Sequence, residues 1–199
     1  MRRRAAPPPY RLLSLLFDYP SERIDAAVAP AVAAVPESFR LFWRQTPLAE
    51  RQRLYVETFD LDRRTSLHLS WYLYGDTRKR GMALLRLKRQ YAAAGLELGS
   101  GELPDHLAVL LEFAAGAPAG YGHTLLIEHR LGLELLRLRL TAGASPWAAL
   151  AGLLCASLPR LTAPDRDRVA RLLADGPPGE RVGLEPFAPP EVMPVGAGR

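Results

Sequence analysis

Apolar residues recur along this 199-residue chain mainly at three- and four-residue spacing, and this period limits what the chain can fold into. Such spacing puts apolar side chains on one face of an α-helix, whereas a half-buried strand would alternate at every second residue. The breaks between the periodic segments carry residues that start and stop helices. We therefore predict an all-α protein with a single-domain helical bundle.

Proline, glycine and hydroxyl residues set the predicted helix boundaries. Thr46 and Pro47 open one helix as its N-cap and first residue, and Gly95 closes another that begins at Asp76. The predicted helices cover residues 10–17, 22–34, 37–44, 76–95, 102–115, 121–140 and 162–174, with two more opening at Thr46 and at Ser145.

One segment fits two periods. Polar residues separate the apolar set Leu67, Leu69, Trp71 and Leu73, as in a half-buried strand. A helical stripe of Leu67, Trp71 and Tyr74 competes with that pattern. Because a lone strand would have no partner in a helical chain, we predict a helix here.

The two ends of the chain differ in composition from its middle. Several prolines and glycines follow Ala174, and such a composition offers too little apolar surface to offset the entropy of ordering. We predict a flexible N-terminus at residues 1–9, a helical domain at residues 10–176 and a disordered, Pro/Gly-rich C-terminal tail at residues 177–199. Removing the tail should leave the domain folded.

Cysteine usage and hydropathy bear on the cellular compartment. Cys155 is the single cysteine, so an internal disulfide is excluded and a reducing compartment fits. The apolar run from Leu12 to Phe17 is shorter than the core of a secretory signal. No stretch approaches the roughly 18 apolar residues of a membrane span. We predict a cytoplasmic location without direct membrane insertion.

The sequence holds no recognisable catalytic pattern. Metal-ligand spacing is lacking among the histidines, which are His68, His106, His123 and His129. The glycines and serines form neither a phosphate-binding loop nor a nucleophile elbow. Glu102 and Asp105 are a carboxylate pair, but such residues at a helix start usually serve the helix dipole. We expect no enzymatic activity, no cofactor and no metal site.

A basic run, Arg78, Lys79 and Arg80, lies in the opening turn of the helix predicted at residues 76–95. The helix dipole disfavours cations there, so something should compensate. An anion or an acidic partner could do so, but a salt bridge to carboxylates of a neighbouring helix is the favoured explanation. A basic helical nucleic-acid-binding protein is an alternative that lacks interleaved aromatics and a concentrated basic face.

The helix predicted at residues 102–115 has two apolar faces. One stripe consists of Leu107, Leu110, Leu111 and Ala114. Val109 and Phe113 lie on the opposite side, beside Asp105 and Glu112. That second face could receive an apolar, basic peptide helix in a groove. Alternatively, the helix is wholly buried and its acids pair with Arg78 or Arg80.

Several motifs, in a fixed order, carry a family resemblance. They are Tyr55-Val56-Glu57-Thr58-Phe59-Asp60, Thr65-Ser66-Leu67, Tyr74-Gly75-Asp76-Thr77-Arg78-Lys79-Arg80-Gly81, Tyr91 to Gly95, and Glu102-Leu103-Pro104-Asp105-His106-Leu107 with Leu111-Glu112-Phe113. In these residues the chain resembles the NarJ-type nitrate reductase molybdenum cofactor assembly chaperones of the TorD/DmsD/NarJ group. The resemblance covers Leu54 to Ala115, and beyond Ala174 the chain departs from the family pattern.

The resemblance implies a cytoplasmic chaperone that catalyses no reaction. Its partner would be the apo catalytic (alpha) subunit of a respiratory nitrate reductase, bound transiently through its N-terminal leader. The chaperone would hold that subunit until the molybdenum cofactor and an Fe-S cluster are inserted, before membrane attachment. A twin-arginine signal-binding chaperone for another molybdoenzyme, a sulfoxide or N-oxide reductase, is the nearest alternative.

The resemblance also assigns roles to residues. We predict leader contacts from Tyr72, Tyr74, Glu102, Asp105, His106, Val109, Glu112 and Phe113. The remaining family-motif positions are Gly75, Asp76, Arg78, Arg80, Gly81, Leu103 and Pro104.

Overall fold

The computed structural model describes residues 9–99, 101–118 and 120–178, and in these ranges it contains helices and no strand. The α-helices are α1 (Tyr10–Leu16), α2 (Glu22–Val28), α3 (Glu37–Gln45), α4 (Leu48–Tyr55), α5 (Leu69–Tyr74), α6 (Arg78–Ala93), α7 (Leu107–Gly116), α8 (Tyr121–Glu128), α9 (Arg130–Ala142), α10 (Ala148–Ser157) and α11 (Ala163–Asp175). A π-helical turn, Val56–Asp60, continues α4, and short 3₁₀ turns cover Val32–Ala34 and Arg63–Thr65. The all-α prediction is confirmed.

Two predicted helix ends agree with the structure, whereas the predicted Thr46 cap is wrong, because Pro47 occupies the N-cap position of α4 and Thr46 ends α3. Thr162 caps α11 with a reciprocal capping box, in which its side chain accepts from the Asp165 N–H at 3.3 Å. Gly95 follows α6 with φ at +75°, the left-handed conformation that glycine adopts without steric cost. Residues within one helical turn account for both ends.

The helix predicted at residues 102–115 begins later than expected. The Leu107 N–H donates to the Leu67 carbonyl at 2.9 Å, and the Leu69 N–H donates to the Asp105 carbonyl at 3.0 Å. This short antiparallel pairing, centred on His68 and His106, keeps the chain extended before α7. The predicted start at Glu102 is therefore wrong, and α7 starts at Leu107.

Other boundaries also differ from the prediction, and the helix predicted at residues 22–34 ends at Val28. The helix predicted at residues 121–140 is divided at His129, whose backbone (φ −96°, ψ 12°) leaves the helical region. Asp76 does not cap α6, because the helix begins at Arg78 and Thr77 occupies the capping position. The Thr77 hydroxyl donates to the Tyr74 carbonyl at 2.8 Å instead.

Residues 67–74, whose sequence fits both a strand and a helix, begin with an extended part and continue as a helix. A helix at Leu69–Tyr74 is confirmed, but its predicted stripe is wrong. Leu69 and Tyr72 are buried, whereas Trp71 is only half-buried. The alternation at the start of the segment reflects the extended pairing of residues 67–69 with residues 105–107.

The buried side chains of the described residues form one hydrophobic cluster around Trp147. Trp147 is fully buried, and its indole N–H donates to the Leu16 carbonyl at 3.0 Å. Aromatic rings surround it with centroid distances of 5.3 to 6.3 Å, from Phe39, Phe42, Tyr55 and Phe59. Among the described residues, no helix combines the length and apolarity needed to cross a bilayer.

Close backbone packing fixes α7 within this bundle. α7 packs against α1 and against α8. At Gly122 of α8, an added Cβ would lie only 2.2 Å from the Ala114 Cα of α7, so only glycine allows this approach. The position of α7 in turn sets the site described below.

The predicted domain boundaries stay predictions. Residues 1–8 and 179–199 lie outside the described residues, and with them most of the predicted flexible N-terminus and C-terminal tail. Pro177 and Pro178 are described, and the Pro178 carbonyl lies against Gly75, whose φ is +55°.

Candidate functional site

A groove of about 550 Å³ lies between α7 and the segment that follows α6. Its apolar lining comes from Tyr91, Leu96, Leu98, Val109 and Phe113. Three carboxylates and one cation complete the charged part of the lining, namely Glu97, Glu102, Glu112 and Arg11. We call this feature the acidic groove.

Aromatic packing holds the floor of the acidic groove. The rings of Tyr91 and Phe113 are 4.5 Å apart between centroids, and the Tyr91 hydroxyl donates to the Pro104 carbonyl at 2.6 Å. Burial raises the pKa of Tyr91 well above its usual value, with a smaller contribution from the Asp105 charge. The hydroxyl therefore stays a donor and ties the end of α6 to the segment that leads into α7.

The rim of the acidic groove favours a cation. Glu112 pairs with Arg11 at 3.1 Å, and both side chains are well exposed, at 61% and 70%. An exposed pair of this kind contributes only about 0 to 1 kcal/mol, so an incoming cation can take the place of Arg11. Glu97 and Glu102 add two further carboxylates to the same groove.

Asp105 lies outside the acidic groove, and its predicted place beside Glu112 is wrong. It is fully buried. One carboxylate oxygen is 3.2 Å from the His68 ring nitrogen Nδ1, and the other accepts hydrogen bonds from the Ser70 amide and hydroxyl. Since α7 starts only at Leu107, Asp105 is not on the helix, and it does not line the groove that contains Glu112.

The buried Asp105 carboxylate is the anchor of the basic run. Arg80 Nη2 is 3.6 Å from Asp105 Oδ2, and Arg80 Nε donates to the Ser70 hydroxyl at 3.3 Å. Burial raises the pKa of Asp105, but the hydrogen bonds from His68 and Ser70, together with the charge of Arg80, outweigh it and hold that pKa below its ordinary value. A salt bridge does compensate Arg80, but its carboxylate lies before α7 and not on a neighbouring helix as predicted.

His106, Tyr72 and Tyr74 also fall outside the acidic groove. His106 is buried with its ring 5.2 Å from that of His68, and its Nδ1 has no hydrogen-bond partner among the described residues. The Tyr72 hydroxyl is committed to the Ser66 carbonyl at 2.9 Å, while Tyr74 lines a different cavity beside α6. Of the predicted leader-binding residues, the structure brings together Glu102, Val109, Glu112 and Phe113.

The remaining motif positions differ in burial and do not face the acidic groove. Pro104 is buried and supplies the carbonyl that Tyr91 binds. Leu103 is 39% exposed, Asp76 is exposed and 4.0 Å from Arg80, and Gly81 is exposed with open space around it. These positions do not line the acidic groove.

Sequence reasoning missed several groove residues. Leu96 and Leu98 follow the Gly95 stop, and Arg11 lies on α1, far away in the sequence. A signal was present, because two leucines in a segment after a helix stop have no helical face to explain them. Arg11 had no such signal. Among the described residues, no group of three or more His, Cys, Asp or Glu side chains could hold a metal ion.

Comparison with known proteins identifies the family. The family model described as nitrate reductase delta subunit matches residues 23–151, and the chain belongs to this family. A similar protein is the nitrate reductase molybdenum cofactor assembly chaperone NarJ of Escherichia coli K12, which is 40% identical over 126 residues, or 63% of this chain and 52% of that protein.

Two further relatives fit this assignment. The nitrate reductase-like protein NarX of Mycobacterium tuberculosis H37Rv is 33% identical over 157 residues, or 73% of this chain and 24% of that protein. The probable chaperone NarJ of Bacillus subtilis 168 is 35% identical over 104 residues, or 52% of this chain and 56% of that protein. The chain therefore spans about a quarter of NarX and about half of each NarJ protein.

Proposed function

We propose that this chain is an assembly chaperone for the catalytic subunit of a nitrate reductase and catalyses no reaction itself. It binds the N-terminal leader of the apo subunit in the cytoplasm. It holds that subunit while the molybdenum cofactor and an Fe-S cluster are inserted, before membrane attachment. It has no resident cofactor and does not bind nucleic acid. Family membership, with relatives named as assembly chaperones, is the observation that carries this proposal.

The acidic groove supplies a binding mode for a leader. An amphipathic peptide helix binds by laying its apolar face into an apolar groove, with charged groups at the rim selecting the partner. Val109, Leu96 and Leu98 offer the apolar surface, while Glu97 and Glu112 carry the charge. Such a site suits a leader with apolar residues on one face and a cation beside them.

The role we propose for Glu112 is exchange of partners. In the free chaperone it pairs with Arg11 at 3.1 Å, and on binding it pairs with a cation of the leader. Since one exposed ion pair replaces another, net affinity comes mainly from burying the apolar groove wall. The carboxylates make a smaller contribution to affinity and select a leader that carries cations.

A titration of labelled leader peptide tests the proposal. The leader comes from the nitrate reductase catalytic subunit of the same organism, and fluorescence anisotropy gives its affinity. The test variant combines Glu97→Gln, Glu102→Gln and Glu112→Gln. Each rim carboxylate contributes up to about 1 kcal/mol, so we expect affinity to fall roughly fivefold to thirtyfold.

The matched control removes three exposed carboxylates elsewhere, with Glu22→Gln, Glu37→Gln and Asp167→Asn. It changes the net charge equally, and affinity should stay within about twofold of the wild type. Equal losses in both variants, or no binding of the leader to the wild-type protein, would contradict the proposal. A twin-arginine leader from a sulfoxide reductase, titrated in parallel, should bind more weakly, and tighter binding would favour the alternative client.

A further inference from the structure

A second cavity, of about 840 Å³, lies along α6 and is unlike the acidic groove in charge. Leu73 and Tyr74 of α5 line one side, and Glu128 with His129 lines another. α6 supplies the rest, including Lys79, Met82, Leu85, Arg86 and Arg89. We call it the basic groove.

Apolar side chains lie among the cations of the basic groove. Met82 is 66% exposed and Leu85 is 42% exposed, although both are on a helix whose other outer residues are mostly charged. Met82, Leu85, Arg86 and Arg89 follow the spacing i, i+3, i+4 and i+7, so they share one helix face. Exposed apolar residues rimmed by charge are typical of a binding surface.

Interactions within the described residues leave much of this charge unused. Among the cations of the basic groove, Arg86 pairs with Glu128 at 2.7 Å. Lys79 and Arg89 make no ion pair within the part of the chain that the structure describes. Lys79 also lies in the first turn of α6, where the helix dipole disfavours a cation, so stability of the helix does not explain it.

We propose that the basic groove binds an acidic amphipathic segment of a protein partner. Leucine-like side chains of that segment pack on Met82 and Leu85, and its carboxylates pair with Lys79 and Arg89. The helix-in-groove mode requires this combination of an apolar centre and a charged rim. Charge complementarity separates this partner from the basic leader that the acidic groove accepts.

A designed peptide probes the site. It has about 18 residues, or five helical turns, with leucine at positions i, i+3, i+4 and i+7 and glutamate on the flanks. A second peptide of identical composition distributes its leucines around the helix. Fluorescence anisotropy should show saturable binding of the first peptide and at least about tenfold weaker binding of the second, because only the first presents one apolar face.

Matched variants locate the binding. Lys79→Glu with Arg89→Glu should weaken binding of the first peptide by at least about tenfold, since two attractive charges become repulsive. Lys88→Glu with Arg171→Glu makes the same change of net charge at exposed positions that do not line the basic groove, one of them on α6 itself. This control should change affinity by less than about threefold.

Three results would overturn the proposal. They are no saturable binding of the first peptide, equal losses in both double variants, and equal binding of the two peptides. Anionic phospholipid vesicles and duplex DNA are titrated alongside. If either binds more tightly than the first peptide, and Lys79→Glu with Arg89→Glu abolishes that binding, then that ligand, and not an acidic peptide, is the partner of the basic groove. Leader affinity is measured on the same samples and should not fall in either double variant, so this test and that of the proposed function fail independently.

Discussion

The acidic groove and the basic groove are built alike but carry opposite charge. Each combines half-exposed apolar side chains with a charged rim, carboxylates in one and cations in the other. Both meet at α6, which lines the basic groove along most of its length and contributes Tyr91, near its end, to the acidic groove. The comparison shows that one helix can contribute side chains to two grooves of opposite charge.

A single buried carboxylate links the two regions. Asp105 holds Arg80 near the start of α6, and it lies two residues before the start of α7. It also fixes Ser70 at the start of α5 through two hydrogen bonds. Loss of this carboxylate should therefore affect both grooves together, whereas changes at either rim should affect one groove alone.

Asp105→Asn should have the largest effect on stability. It leaves Arg80 without its buried partner, and breaking such a pair costs about 3 to 5 kcal/mol of unfolding free energy. Chemical denaturation followed by circular dichroism measures the loss. Asp76→Asn is the matched control, because Asp76 is exposed and 4.0 Å from the same arginine, so its loss should stay below about 0.5 kcal/mol. Equal stability of the two variants would show that the Asp105 carboxylate does not hold the two groove regions together.

Gly122→Ala should have the next largest effect on stability, and it acts on α7, which lines the acidic groove. The added methyl would lie 2.2 Å from the Ala114 Cα, so α8 must move away from α7. Overpacking of this kind costs about 1 to 3 kcal/mol, and leader affinity should fall with it.

Gly152→Ala provides the matched control for that change. Gly152 lies within α10 with open space at its Cβ position, so alanine should stabilise the protein by about 0.5 to 1 kcal/mol. Thermal melting of both variants gives the comparison. A Gly122→Ala protein as stable as the wild type would mean that α7 and α8 are not packed this closely.

Lowering the pH should reduce the stability of the fold, because each of the two regions contains a histidine with a lowered pKa. Burial lowers the pKa of His106, in the Asp105 network, and of His129, in the wall of the basic groove. The folded state then binds fewer protons than the unfolded state below about pH 7, because an unfolded histidine has a pKa near 6.5. Stability is complete above that value and falls as the pH drops through the window towards the lowered folded pKa.

The pH effect is at most about 1.4 kcal/mol per pH unit for each histidine. Melting temperatures at several values between pH 7.5 and pH 5 measure it, and His106→Gln or His129→Gln should each flatten the slope. A protein equally stable over this range would contradict the burial of both histidines. The low pKa of Asp105 adds a further loss only in stronger acid, as that carboxylate becomes protonated.

Sequence patterns predicted those helix ends that are determined by residues close by in the chain. The Gly95 stop and a helix start near Thr162 were predicted, because each depends on residues within one helical turn. The start of α7 was missed, because the Leu67 carbonyl, forty positions away in the chain, binds the backbone there. Propensity carries no information about such pairing.

The same limit applies to the site. Val109, Glu112 and Phe113 were placed together because one helix face carries them. Arg11 was missed, because α1 reaches the groove only through tertiary packing. Asp105 was assigned to the groove, although its alternative pairing with Arg80 had also been recognised, since helical spacing cannot show which way a side chain before the helix turns.

Photo-crosslinking of the leader tests the central claim most directly, because it reports where the peptide lies. A leader with a benzophenone group at one apolar position is bound to the wild-type chain, irradiated, and mapped by mass spectrometry. We predict adducts at residues of the acidic groove, such as Leu96, Leu98, Val109 and Phe113. At a leader concentration near the wild-type Kd, the triple glutamine variant should give a lower yield of these adducts. Adducts concentrated at Met82 and Leu85 of the basic groove, and absent from the acidic groove, would contradict the account.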